Sequence, residues 1–146
     1  MEEDNEAIEF KLMSTLNVGS YIVFGNRPYV ITDKTIHKTG KHGHAKANIE
    51  MKDVFTDKKM IHIFDSDERV KCPIVKKENY TLSNIDNEGF VSLLSNDGKI
   101  DETVKLEHDD IGNRIKGFFK QGKHIEVIVL SALNISKIIE YKIINE

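Results

Sequence analysis

The sequence predicts a mainly β, in effect all-β, chain folded as two small barrels, the second of them carrying a single helix. Segments rich in Val, Ile, Tyr, Phe and Thr recur about every ten residues between Gly, Asn and Asp, the rhythm of small β folds. The stretch Ala45-Lys46-Ala47-Asn48-Ile49-Glu50-Met51-Lys52 alternates apolar and polar residues, as a half-buried strand requires. Only one stretch, after Asp109, shows a clear helical period.

In the first half, strands are expected at Tyr21 to Phe24, Pro28 to Thr35, His44 to Phe55 and Lys59 to Phe64, with turns at Gly25-Asn26 and Thr56-Asp57-Lys58. In the second half they are expected at Tyr80 to Ile85, Phe90 to Leu94, Lys99 to Leu106 and Ile125 to Leu130. Asn87-Glu88-Gly89 and Asn96-Asp97-Gly98 serve as glycine-bearing turns. Asp109 or Asp110 can cap a helix whose Ile111, Ile115, Phe118 and Phe119 form one apolar stripe, and Gly122 stops it. Strands, a helix and more strand suggest an OB-type barrel. Ile135 to Ile144 suits either state, and its β-branched density favours a strand. Lys71-Cys72-Pro73 separates the halves, because proline disfavours a continuous element there. The expected organisation is an acidic tail over residues 1–10, a first barrel over 11–72 and an OB-fold domain over 73–146.

Composition removes several classes. With 39% hydrophobic and 31% charged residues, the 146-residue chain is too apolar for wholesale disorder and should bury a real core. Its longest apolar runs fall far short of the roughly 20 residues of a membrane span, and its N-terminus is acidic where a secretory signal is basic and apolar. An intracellular protein without a membrane partner is expected. The single cysteine, Cys72, excludes a disulfide scaffold or a classical zinc finger and reads as a packed hydrophobe. The net charge of -3 hides an asymmetry: from Lys11 to Cys72 the bases exceed the acids by four, and no acid lies between Asp33 and Glu50. That window holds Lys34, Lys38, Lys41 and Lys46 with His37, His42 and His44. It suits a polyanion such as a phosphate backbone, although a solvated lysine-rich face is the commoner origin of such a run.

Within it, Lys38-Thr39-Gly40-Lys41-His42-Gly43-His44-Ala45-Lys46 admits three functional readings. A nucleotide phosphate loop needs a glycine where Thr35 stands and a Ser or Thr where His42 stands, and it leads into a helix rather than a strand. A metal site from His37, His42 and His44 has no carboxylate in the loop to complete it, so no metal is expected. The third reading is a turn built to present a lysine. Gly40 and Gly43 bracket Lys41-His42 and permit a sharp tip, which could reach on the order of 10 Å beyond a barrel rim. A lysine there is hydrated, protonated and suited to entering a phosphate-lined site or receiving a modification. Spacing alone leaves that reading level with a plain solvated hairpin. No catalytic residue emerges elsewhere: Ser92, Ser95 and Ser131 lack a nucleophile-elbow context, and Asp109-Asp110 read as a helix cap. Phe118 and Phe119 read as helix core and flank, whereas Tyr80 and Phe90 are better placed to stack on bases.

The nine-residue loop resembles the hypusine loop of the eukaryotic translation factor 5A family, whose wider relatives are archaeal homologues and bacterial elongation factor P. The resemblance also covers Arg27-Pro28, Asp53-Val54-Phe55-Thr56-Asp57-Lys58-Lys59, Gly89-Phe90-Val91-Ser92-Leu93-Leu94 and Val127-Ile128-Val129-Leu130-Ser131-Ala132, in the family's order. It implies an SH3-like N-terminal barrel and a C-terminal OB-fold. It also implies that Lys41 is the modified lysine: deoxyhypusine synthase transfers an aminobutyl group from spermidine to it using NAD, and deoxyhypusine hydroxylase adds a hydroxyl. The protein would then be a substrate rather than an enzyme, with no bound cofactor, acting in the cytoplasm with the nucleus as a second location. Its partners would be the ribosome and P-site tRNA. There it would promote peptide-bond formation at stalled sequences such as polyproline, and termination, with Lys38, Thr39, Gly40, His42, Gly43, His44 and Lys46 contacting tRNA or the modifying enzyme. The alternatives are a general RNA-binding OB-fold module needing no modification, and a metalloenzyme using the histidine loop. Three departures from the family pattern stand out: Thr35-Ile36-His37 replaces small hydroxyl residues, Asp57 replaces a turn glycine, and the C-terminal stretch is isoleucine-rich.

Overall fold

Strand pairing starts within the stretch expected as acidic tail: Ile8–Leu12 forms β1 and pairs antiparallel with β6 (Arg69–Pro73), Ile8 opposite Pro73 and Leu12 opposite Arg69. The tail expectation therefore fails for residues 8–10, where Ile8 and Phe10 add β-forming side chains between the acids. Pro73 closes the end of a two-stranded ribbon, where a missing N–H costs no inner ladder bond. The structure, a computed structural model, describes residues 8–38 and 45–144. The chain divides into two units between Ile74 and Val75.

In the first unit a single 3-10 turn, Met13–Thr15, leads to β2 (Tyr21–Phe24), β3 (Arg27–Lys38), β4 (Ala45–Asp53) and β5 (Lys59–Asp65), an antiparallel sheet in the order β2-β3-β4-β5. The alternation read from the sequence faces Ala47, Ile49 and Met51 inward, where they meet Met13, Ile22, Ile31, Phe64 and Cys72. Cys72 is buried, and burial pushes its thiol up from the ordinary value. Among the described residues the ladder leaves β2 and β5 as edges, so hydrogen bonding between them closes no barrel here. Side chains bridge the gap instead: the Phe24 ring lies 4.7 Å from His62 and 6.1 Å from Phe64. Asp57 takes the left-handed conformation, φ 63°, that the expected turn demands and an aspartate tolerates.

The second unit is a five-stranded sheet in the order β11-β10-β7-β8-β9, built from β7 (Lys76–Ile85), β8 (Val91–Leu94), β9 (Ile100–Asp101), β10 (His124–Ala132) and β11 (Ile135–Ile144). The C-terminal stretch is thus a strand, as its β-branched residues favour. The strand expected over Lys99 to Leu106 shortens to two residues, with Lys105 forming only an isolated bridge to Phe90. The helix α1 (Asp110–Lys120) buries Ile115 completely against the core of this unit, and the Phe118 ring meets Tyr141 at 5.9 Å. At 11 residues it is far too short to cross a membrane, and no described helix is long and apolar enough to do so.

The helix start makes a demand that the apolar stripe conceals. Asp109 is the cap, its Oδ1 accepting from Gly112 N at 2.8 Å. A Cβ on Gly112 would stand 2.0 Å from the Glu107 carbonyl oxygen, so the main chain would have to move. Gly112→Ala is expected to cost about 2 kcal/mol, lowering the melting midpoint by about 10 °C. Gly117→Ala in the same helix meets nothing within 4 Å and should raise stability by roughly 0.5–1 kcal/mol. Calorimetry of the pair checks both signs.

Candidate functional site

The basic window lies on the hairpin formed by β3 and β4, the longest in the first unit. β3 runs further towards the tip than the sequence suggests, to Lys38 rather than Thr35: His37 pairs with Lys46, and Lys38 with Ala45. Thr39, Gly40, Lys41, His42, Gly43 and His44 lie outside the described residues. Of the expected loop residues, Lys38 therefore ends β3 and Lys46 stands on β4. The pair Lys38 and Ala45 fixes the two points from which residues 39–44 depart.

Two contacts brace that end. Ser66 N donates to Ala45 O at 2.9 Å, and Lys46 Nζ bonds Asp65 Oδ1, its direct cross-strand neighbour on β5. The hydrogen bond from Lys46 to Asp65, then the carboxylate's charge, raises the Lys46 pKa above its ordinary value. Lys34 is committed as well, its Nζ donating to Leu16 O at 2.5 Å and Ser14 O at 3.2 Å. Lys34 and Lys46 thus hold the hairpin in place, and Lys38 with His37 is exposed at its described end.

The opposite end of the hairpin carries a device that sequence reasoning missed. Asp53, at the end of β4, is 4% exposed, the one buried charged residue among those described. Arg27, at the start of β3, grips it with both prongs: Nε donates to Oδ2 at 2.8 Å and Nη2 to Oδ1 at 3.1 Å. Phe55 N and Thr56 N donate to the same Oδ1 at 2.8 and 3.2 Å. Burial alone would push the Asp53 carboxyl up, but Arg27 and the two amides outweigh it and hold the carboxyl below its ordinary value. Val54 N also bonds Pro28 O at 3.0 Å. Arg27-Pro28 and Asp53 to Lys59, distant in sequence, are one structure. A register shift between Ile31 and Asp33 bends β3 between this clamp and the tip.

In the second unit Tyr80 does not offer a bare platform to a nucleic acid. It packs on the core, donates to Glu78 at 3.3 Å, and lines a cleft of about 480 Å³ with Glu78, Asp97, Asp101 and Glu102 against one cation, Lys99. Phe90 is 36% exposed, with Lys105 Nζ 5.5 Å from its ring centre. No cluster of three metal-ligating side chains occurs among the described residues.

Residues 10–68 match a family model described as translation initiation factor 5A-like, N-terminal, and residues 74–142 match one described as eukaryotic elongation factor 5A hypusine, DNA-binding OB fold. The chain is 36% identical over 129 residues to translation initiation factor 5A-1 of Saccharomyces cerevisiae, covering 88% of this chain and 82% of the relative. It is 38% identical over 132 residues to translation initiation factor 5A of Dictyostelium discoideum, covering 90% of this chain and 82% of the relative. A family protein from Naegleria fowleri superposes with a TM-score of 0.86 at 35% identity, covering 92% of this chain and 98% of that one. The Methanococcus jannaschii protein, 22% identical, shares the fold at a TM-score of 0.69, covering 99% of this chain and 100% of that one. A mainly β chain with an SH3-like first unit, an OB-fold second unit and one long basic hairpin has the architecture of a translation factor. It belongs to the translation initiation factor 5A family.

Proposed function

We propose that this translation factor binds the ribosome beside the P-site tRNA and works through Lys41 carried as hypusine, made by deoxyhypusine synthase from spermidine and then by deoxyhypusine hydroxylase. The observation that carries the reading is the run Lys38 to Lys46, which resembles the family's loop and begins on the last pairs of a hairpin clamped at both ends. A rigid stem suits the work proposed for it. A second amine on an extended arm steadies a poorly oriented tRNA end, recovering part of the proximity that proline, a poor nucleophile, loses. Lys38, Thr39, Gly40, His42, Gly43 and His44 are the proposed contacts to tRNA and the modifying enzyme. Lys46 acts through its bond to Asp65, as a support of the stem.

The general RNA-binding reading is weaker, because the cleft beside Tyr80 is lined by four carboxylates, which repel a phosphate backbone. The test is the mass of the Lys41-containing peptide from protein purified from its native cells. An aminobutyl group plus one oxygen on Lys41 is the expected gain. An unmodified Lys41 throughout the native pool overturns the hypusine mechanism, and loss of function on chelation would favour the metal reading.

A further inference from the structure

The bend in β3 decides where Lys34 points. Thr32 is the extra residue at the register shift between Ile31 and Asp33, and one extra residue moves every later side chain to the other face of the strand. Counted from buried Ile31, regular alternation would send Lys34 to solvent. After the bend it stands opposite Ile49, which is completely buried, so it lies on the core-facing side and is half-buried between exposed neighbours. An ammonium there needs acceptors. It finds the carbonyls of Ser14, within the 3-10 turn Met13–Thr15, and of Leu16, the residue that ends it.

The same turn also reaches the other strand of the hairpin. Met13 N donates to Glu68 O and Ser14 N to Ser66 O, each at 2.8 Å, and Ser66 N donates to Ala45 O at 2.9 Å. A closed circuit therefore runs from Lys34 on β3 through Ser14 and Ser66 to Ala45 on β4, which is paired with Lys38. Met13 is completely buried, which anchors the turn in the core. On the side of β3 away from β4, the β2 ladder stops at Val30 opposite Tyr21, and Ile31 makes the last backbone bonds, to Gly19 and Ser20. Lys34 is the next attachment on that side among the described residues. We propose that Lys34 is a positioning residue: its ammonium latches β3, beyond the bend, to the turn that already holds β4, and so fixes the direction in which Lys38 and Ala45 leave the unit. Its purpose rests on the function proposed above, because the stem end sets how residues 39–44 meet a tRNA or a modifying enzyme. The other links in the circuit are backbone to backbone, so Lys34 is the one link that a side-chain substitution removes.

Site-resolved amide exchange of the full chain tests this with two variants. Lys34→Met keeps an unbranched apolar stem and drops the ammonium, whereas Lys34→Arg keeps a cation able to donate to two carbonyls. Ala45 O and Asp53 N face β5, so ladder alternation makes His37 with Lys46 the last bonded pair of the hairpin and Val30 with Lys52 a bonded pair near the Asp53 clamp. In Lys34→Met the His37 and Lys46 amides should exchange at least tenfold faster, with Val30 and Lys52 at the wild-type rate. Lys34→Arg should restore slow exchange. In cells whose only copy is the variant, output from a proline-run reporter relative to a proline-free one should fall roughly fivefold with Lys34→Met and recover with Lys34→Arg. Unchanged exchange at His37 and Lys46 overturns the proposal. So does an equal rise at Val30 and Lys52, the mark of a side chain that only stabilises the unit, or a loosened stem with full reporter output. The mass of the Lys41 peptide from the same cells keeps the two readings apart: wild-type protein without hypusine removes the function proposed above, and the exchange rates still decide whether Lys34 directs the stem.

Discussion

Lys41→Arg is expected to leave the melting curve unchanged and to slow peptide-bond formation at consecutive prolines by on the order of 100-fold, the scale of a lost positioning contact. Arginine keeps the positive charge, so any contact that needs only a cation on a phosphate survives. It cannot become hypusine, because its guanidinium is protonated at every physiological pH and offers no free amine to the modifying enzyme. The two proposed roles of the loop therefore separate at one residue. The measurement compares a reporter with a proline run against one without, in cells whose only copy of the factor is the variant. Loss confined to the proline reporter supports the modified arm. Equal output from both reporters, at wild-type level, overturns it and moves the RNA-binding module to first place.

Much of this was legible in the sequence, and the places where legibility failed have physical causes. The alternation from Ala45 to Lys52 located β4 and its buried face correctly, and the spacing of Ile111, Ile115, Phe118 and Phe119 located α1. The nine-residue loop identified the family. The strands β1 and β6 were not seen, because each is five residues long and interleaved with charges, and because Pro73 reads as a breaker when nothing shows that it ends an edge ribbon. Lys38 was placed beyond the expected strand, since only the register shows that β3 continues to pair Lys38 with Ala45, whereas Lys46 already fell within the strand expected from His44. The commitment of Lys34 to backbone carbonyls left no trace in spacing. Asp53 did leave one: it continues the inward series Ala47, Ile49, Met51, and an acid at a core position needs a partner. Reading that series one step further would have predicted the clamp, though not that Arg27 supplies it.

The clamp carries the second large effect. Asp53→Ala strands the Arg27 guanidinium and leaves the Phe55 and Thr56 amides without their acceptor. Removing one partner of a buried pair costs about 3–5 kcal/mol. The Arg27 side chain is 38% exposed and recovers some hydration, so about 3 kcal/mol is expected, a fall of about 15 °C in melting midpoint. The sign of the pH dependence follows from Asp53's depressed folded pKa. Its stabilisation is fully present above the unfolded-chain value near pH 4 and is lost as pH falls through the folded one. Arg27→Met removes the largest of the interactions that together outweigh burial, so the Asp53 carboxyl should rise and the stability it gains with increasing pH should shrink. The gap between wild type and Arg27→Met should therefore widen from pH 3 to pH 7, which urea titrations at both ends measure. A gap that stays constant would mean that Arg27 acts through its packing 5.9 Å from the Phe55 ring centre rather than through its charge. The same two strands that Arg27 and Asp53 join end at Lys38 and Ala45, so slackness at the clamp should also reach the tip. Asp53→Ala, assayed well below its melting point, should then lose part of the proposed proline-specific activity while the proposed modification of Lys41 is retained.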